Sequence, residues 1–218
     1  MYELSLNIMD IVQNSIRADA KLVSVSIDID EGRDMLAIVI GDDGCGMDEE
    51  SGKSAADPFF TTRTTRKVGL GLPYFEMAAK MCGGDFGIRS EPGKGTSVSA
   101  SFQLSHIDRA PLGDTGQTFA LLAGMNSDVD FALTLTRVCG GDYDSGSDSS
   151  GCGCSGDADA DADADADVGG SNCGSFVFDT RSIKEALDGV PIDTPEVIIY
   201  MEDYINENVQ KLTRGIDL

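Results

Sequence analysis

Apolar residues recur at helical spacing almost from the start of the chain. Over residues 3–18, Leu4, Leu6, Ile8, Ile11, Val12, Ser15 and Ile16 stand three and four positions apart, which predicts a helix that buries one face. The period then shortens to two: Val23, Val25, Ile27 and Ile29 alternate with Ser and Asp. After the turn Glu31-Gly32-Arg33-Asp34, residues Met35 to Ile40 are continuously apolar. Alternation marks a strand with one buried face and an unbroken run a more enclosed one, so the spacing predicts a hairpin whose second strand is the more buried.

Periodicity is lost over residues 41–68, which are rich in Gly, Asp, Ser and Thr, and helical spacing returns from Leu70 to Cys82, ending at Gly83-Gly84. Two further strands are predicted at 85–90 and 96–104, the second with Val98, Ala100, Phe102 and Leu104 on one face, joined by the turn Glu91-Pro92-Gly93-Lys94-Gly95. This order closes an α+β sandwich, a mixed sheet with helices on one face, by about residue 105. Beyond it, 114–124 reads as a helix, 130–138 and 175–179 as strands, and 180–188 and 194–211 as helices. We therefore expect a first domain over 1–105 and a small C-terminal α/β appendage made of 106–138 and 175–218.

Residues 139–174 change the picture. They hold nine Asp and no Lys or Arg, with an Asp-Ala repeat from Asp157 to Asp167. Such a stretch cannot bury enough apolar surface to offset the entropy of ordering it, so a disordered acidic insert at a hairpin tip is expected. Its acidity is shared by the rest of the chain, where 29 acidic side chains face 16 basic ones, within a formal net charge of -22 over 218 residues. That charge repels nucleic acid and anionic lipid alike. No run approaches the roughly 20 apolar residues that span a bilayer, and the N-terminus opens as an amphipathic segment instead of a secretion signal. A soluble cytoplasmic protein without nucleic-acid or membrane partners is the expectation.

The six cysteines follow no regular framework, so structural disulfides are not expected. Cys139, Cys152, Cys154 and Cys173 could in principle hold Zn²⁺ or an iron–sulfur cluster, but their spacing matches no established ligand pattern. The Asp-Ala repeat lacks the sharp Gly turn and bidentate Glu of a calcium loop.

Candidate chemistry gathers in four segments. Asp10, Asn14 and Arg17 lie three and four residues apart and share one face of the first helix. Asp42-Asp43-Gly44-Cys45-Gly46-Met47 follows the hairpin's second strand directly. Asp57-Pro58-Phe59-Phe60-Thr61-Thr62-Arg63 precedes Gly69-Leu70-Gly71-Leu72 at the mouth of the second helix, where unhindered N–H groups and the helix dipole favour anions. Arg63, Arg66 and Lys67 concentrate positive charge there on an acidic protein. Glu91-Pro92-Gly93-Lys94-Gly95-Thr96 closes the series. Alone, each segment is equally a polar helix face, a glycine turn or a solvated basic loop.

In this order over residues 7–102, the four segments resemble the N-box, the G1 box, the lid with its G2 box, and the closing Gly-Thr motif of the Bergerat-fold (GHKL) ATPase and kinase superfamily. The resemblance implies bound ATP and Mg²⁺, with the Asn14 amide oxygen as a Mg²⁺ ligand. Asp10 stands where hydrolysing members and anti-sigma-factor serine kinases place a carboxylate that orients the nucleophile, although Asp is one methylene shorter than the more usual Glu. By the same resemblance, Asp42 accepts a hydrogen bond from the adenine amino group, Gly44, Gly46 and Met47 border the base, and Arg17, Arg63, Lys67, Gly69, Leu70, Gly71 and Leu72 serve the phosphate side. The Thr96 hydroxyl would help hold Asp42, directly or through water.

The N-box and G1 box are similar to those of mismatch-repair and gyrase-type ATPases, and the lid to that of histidine kinases. The whole chain also looks like small stand-alone ATP-binding proteins of anaerobic bacteria, often encoded beside iron-hydrogenase subunits. The one histidine, His106, follows the last sandwich strand, and the N-box helix starts near residue 3 with no dimerisation helix ahead of it, so His106 is read as a structural or surface residue. The implied function is slow ATP hydrolysis or transfer of the γ-phosphoryl group to a protein partner. The alternative is a nucleotide-gated interaction switch, or a regulatory subunit of a redox system, without physiological catalysis.

Overall fold

The computed structural model describes residues 3–48, 71–139 and 173–216. In chain order its elements are α1 (Leu4–Arg17), β1 (Leu22–Asp30), β2 (Met35–Asp42), α2 (Gly71–Met81), β3 (Phe86–Glu91), β4 (Gly95–Gln103), α3 (Thr115–Met125), β5 (Asp130–Val138), β6 (Gly174–Asp179), α4 (Thr180–Ala186) and α5 (Pro195–Thr213). The strands form one mixed six-stranded sheet in the order β3-β4-β2-β1-β5-β6. Every neighbouring pair is antiparallel except β1 and β5. The protein is thus α+β.

The period-two pattern fixes which side of the sheet is dry. Val23, Val25, Ile27 and Ile29 of β1, Leu36, Ile38 and Ile40 of β2, and Phe131, Leu133 and Leu135 of β5 are all buried. Successive side chains point to opposite faces, so these residues share the face on which the helices pack. α2, α1, α3 and α5 lie side by side there. Phe75 pins α2 to the sheet, its ring 6.2 Å from Phe86 and 5.7 Å from Phe102.

Two expectations about individual positions give way. Ala37 is half-buried and Val39 is 36% exposed, so β2 is no more enclosed than β1. Its apolar run reads as two-faced, but only one face has helices to receive it. Leu6 is 40% exposed because the α1 surface it occupies turns away from the sheet.

Where the sequence suggests an appendage after residue 105, the sheet continues instead. β5 pairs in parallel with β1 along nine residues, from Leu22↔Asp130 to Asp30↔Val138. α5 presents Val197, Met201, Ile205 and Val209 to the core, one residue per turn. Its Asn206 accepts the Gly116 N–H at 3.0 Å and donates to Asp114, which also caps α3 through the Gln117 N–H. Buried Arg137 bonds Glu31 at 2.6 Å and the Leu212 and Arg214 carbonyls, tying the end of α5 to the β1–β2 turn.

The expectation of no structural disulfide is also corrected. Cys139 and Cys173 are joined, with Cα atoms 5.5 Å apart, because both stand just beyond the last β5–β6 pair, Arg137↔Gly174, where the two strands still run side by side. The span between them, with Cys152, Cys154 and the Asp-Ala repeat, lies outside the described residues apart from its two ends.

Candidate functional site

The hydrogen bonds converge on Asp42, the last residue of β2. Its Oδ1 accepts the Gly44 N–H at 3.0 Å and the Thr96 N–H at 3.1 Å, and its Oδ2 accepts the Ser15 hydroxyl at 2.6 Å. A carboxylate offers about four acceptor positions. Two on Oδ1 and one on Oδ2 are filled, which leaves one on Oδ2. The carboxylate is therefore held rigid from three elements while keeping capacity for one more donor.

Sequence reasoning missed Ser15 in this role, because it reads as part of the apolar stripe of α1. It is buried, at 3% exposure, directly after Asn14, and a hydroxyl on the dry side of a helix was the available signal. Ser90 was missed as well. Its hydroxyl accepts the Met47 N–H at 2.8 Å, lies 2.9 Å from the Thr96 hydroxyl and donates to the Gly95 carbonyl at 3.1 Å. Thr96 thus reaches Asp42 through its backbone N–H, while its hydroxyl is engaged by Ser90.

Glycines make this closeness possible at two points. Gly46 (φ +66°) and Gly95 (φ +101°) adopt left-handed backbone that L side chains rarely enter, and a Cβ on either would collide with backbone, of Glu91 and Asp42 respectively. Around them the Cys45 N–H bonds the Ala18 carbonyl and the Gly93 N–H bonds the Cys45 carbonyl, each at 2.8 Å. Asp43 has a different job: it accepts the Lys21 and Leu22 N–H groups at 2.7 and 2.9 Å and fastens the loop to the start of β1. The backbone N–H of Leu22 leads in holding its carboxyl below the usual aspartate range.

On α1, Asn14 and Asp10 are half-buried and Arg17 is exposed. The Arg17 guanidinium donates to the Asn14 amide oxygen at 3.3 Å. Asp10 lies against the opening of α2: a Cβ on Gly71 would stand 3.2 Å from Asp10 Cβ and 3.7 Å from its Oδ2. Leu72 packs against the core. The structure therefore places Asn14, Asp42, Gly44, Gly46, Met47 and Thr96 about the C-terminal end of α1, with Asp10 and Gly71 together one turn earlier along it. Arg63, Lys67, Gly69 and Leu70, with the Asp57–Arg63 lid and Arg66, lie outside the described residues.

Chemically this is a polar edge with two ends. At one, Asp42 can take a single N–H donor among glycine backbone. At the other, a neutral amide oxygen and a carboxylate stand beside a helix opening, and hard oxygen donors of this kind suit Mg²⁺, which keeps several of its ligands for water and phosphate. Among the described residues no group of three or more His, Cys, Asp or Glu side chains could hold a metal by itself. A shallow depression of about 410 Å³ is lined by Asp42, Ser90, Gly95 and Thr96 of this edge together with Ser24, Gly41, Arg89 and Ser97 of the neighbouring strands. His106 lies in the turn after β4, where its Nδ1 accepts the Asp108 N–H.

Residues 3–106 match the family model for histidine kinase-, DNA gyrase B- and HSP90-like ATPases. The chain is 34% identical over 103 residues to a putative sensor protein of Shewanella frigidimarina, covering 46% of this chain and 16% of that protein. It is 32% identical over 97 residues to the sensor protein DegM of a Bacillus species (44% and 26%) and 34% identical over 88 residues to sporulation kinase C of Bacillus subtilis (40% and 20%). The chain thus spans about a quarter or less of the length of these relatives. A crystal structure of the N-terminal domain of a DNA repair protein superposes with a TM-score of 0.44 at 17% identity, covering 63% of this chain and 50% of that one.

Proposed function

Since residues 3–106 form a histidine kinase-, DNA gyrase B- and HSP90-like ATPase domain, we propose that this protein binds MgATP at the Asp42–Asn14–Asp10 edge and hydrolyses it slowly or passes its γ-phosphoryl group to a protein partner. The observation that carries this reading is the Asp42 carboxylate, locked by three hydrogen bonds with one acceptor position left for an adenine amino group.

The chain's own residues divide the work. Ser15 and the Gly44 and Thr96 N–H groups hold Asp42 so that accepting from the adenine requires no reorientation. Asn14 offers an amide oxygen for Mg²⁺. A Mg²⁺ ion held there would supply charge neutralisation in phosphoryl transfer. Asp10, beside Gly71, accepts the proton of a water or a partner hydroxyl as its oxygen attacks the γ-phosphorus and the bond to the departing nucleoside diphosphate breaks. Arg63, Lys67, Gly69 and Leu70 are assigned to the phosphates on the sequence motif alone.

A second reading rests on Asp10 being shorter than a glutamate: a nucleotide-gated interaction switch, or a regulatory subunit of a redox system, in which turnover is incidental. Calorimetric titration with ADP and a non-hydrolysable ATP analogue, with and without Mg²⁺, tests the site. We expect Mg²⁺-dependent binding that Asp42→Asn weakens tenfold or more, and a folded wild type that binds neither nucleotide defeats the proposal. Asp10→Asn separates the two readings, since loss of turnover with MgATP affinity retained supports chemistry at Asp10, whereas unchanged function in cells supports the switch.

A further inference from the structure

The helix-free face of the sheet differs in charge from the rest of the molecule. Its middle row runs across all six strands as Gly87, Ser99, Val39, Ser26, Thr134 and Val177, each paired with the next in the sheet register. No member is charged and none is larger than valine, yet the chain carries 38 acidic residues. Val39 is 36% and Val177 60% exposed. The two flanking rows are built mainly of Ser, Thr, Ala and Gly, and their charges are Arg89, Asp28 and Asp179, with Asp85 opposite Ser101 just ahead of β3. A solvated sheet face is ordinarily studded with charge or long polar side chains. Over these three rows the side chains are small and carry little charge, with the shallow depression confined to the Arg89–Ser97–Gly41–Ser24 end.

We infer that this face is where two copies of the chain meet, sheet against sheet. Two molecules that each carry a net charge of -22 repel one another across an acidic surface, and this face lets them touch without bringing carboxylate against carboxylate. A cationic partner would be expected to select acidic surface instead. Side chains no larger than valine allow a second sheet to approach to the roughly 10 Å at which stacked sheets pack.

The area is sufficient. Six strands about 4.8 Å apart and three rows of side chains about 6.8 Å apart cover roughly 600 Å² on each copy, so a pair buries roughly 1,200 Å², the lower end of the range for specific interfaces. The face is also self-complementary. A two-fold axis lying between the sheets, parallel to the strands at the β1–β2 boundary, sets β3 of one copy against β6 of the other and β1 against β2. Arg89 of β3, which has no ion-pair partner among the described residues, then stands at the same end as Asp179 of the second copy, because both belong to the row Arg89, Ser97, Gly41, Ser24, Ala132, Asp179. Asp28 faces Ala37 instead of its own counterpart.

This inference does not depend on the nucleotide reading, because the face lies across the sheet from Ser15 and Asp42. The test is sedimentation equilibrium of the full chain up to roughly 100 μM, the weak end for an interface of this size, at low and high salt. Wild type is expected at twice the chain mass, and the dimer should tighten as salt screens the mutual repulsion. Val39→Glu and Val177→Glu alter exposed positions on different strands. Each should raise the dissociation constant tenfold or more while leaving the thermal unfolding midpoint and ADP affinity unchanged. A wild type monomeric throughout, a dimer that dissociates on adding salt, or a dimer unaffected by both substitutions would overturn the proposal.

Discussion

At the scale of single residues, Ser15 is the most informative side chain, because one hydroxyl links the helix that carries Asp10 and Asn14 to the carboxylate at the end of β2. Hydrogen bonds to charged groups contribute about 1.5–3 kcal/mol, so Ser15→Ala should weaken ADP binding by roughly tenfold or more and lower stability by about 1 kcal/mol, read by calorimetry and thermal unfolding. Asp43 gives a pH signature. Its carboxyl is held low chiefly by the Leu22 N–H, and that of Asp34 chiefly by the Ser105 hydroxyl. A carboxyl whose folded value is depressed adds stability that is complete above its unfolded pKa and is lost as pH falls through the folded value. Unfolding free energy should therefore decline with acid below about pH 4, and Asp43→Asn should flatten that decline, measured by denaturant titration from pH 5 downward. Cysteine reactivity should split in the same way: iodoacetamide should label exposed Cys45 well before buried Cys82, whose thiol is pushed up by desolvation.

At the scale of elements, the β5–β6 hairpin is closed by Cys139 and Cys173 across a sequence separation of 34. In the chain-entropy account, cross-linking a loop of that length stabilises the fold by about 3–4 kcal/mol, so reduction, or Cys139→Ser, should lower the unfolding midpoint measurably. Alkylation before and after reduction, followed by mass spectrometry, shows whether the pair is oxidised. The elements themselves were legible in the chain. All eleven described elements were expected, with ends within two residues of those observed, because a helix or strand that buries one face must repeat its apolar residues at 3.6 or 2 positions. The partners of those elements were not legible. Nothing local in Phe131, Leu133 and Leu135 says that their strand pairs with β1, more than a hundred residues earlier, and not with an appendage of its own.

At the scale of the whole molecule, the net charge of -22 is a standing self-repulsion that the fold withstands. Salt screens it with a Debye length that falls from about 30 Å at 0.01 M to about 10 Å at 0.1 M, so the thermal midpoint should rise as sodium chloride is added from low ionic strength, followed by scanning calorimetry. The sequence by itself determined the α+β class, the positions of the elements and the motif positions Asp10, Asn14, Asp42, Gly44, Gly46 and Thr96, because each is written in spacing along the chain. Only the tertiary structure decided that the C-terminal strands extend the same sheet, that Cys139 meets Cys173, that Ser15 and Ser90 hold the Asp42 edge, and that Val39 faces outward. Those facts depend on which distant segments touch, and contact between distant segments is set by the summed burial of the whole core, which no local pattern encodes.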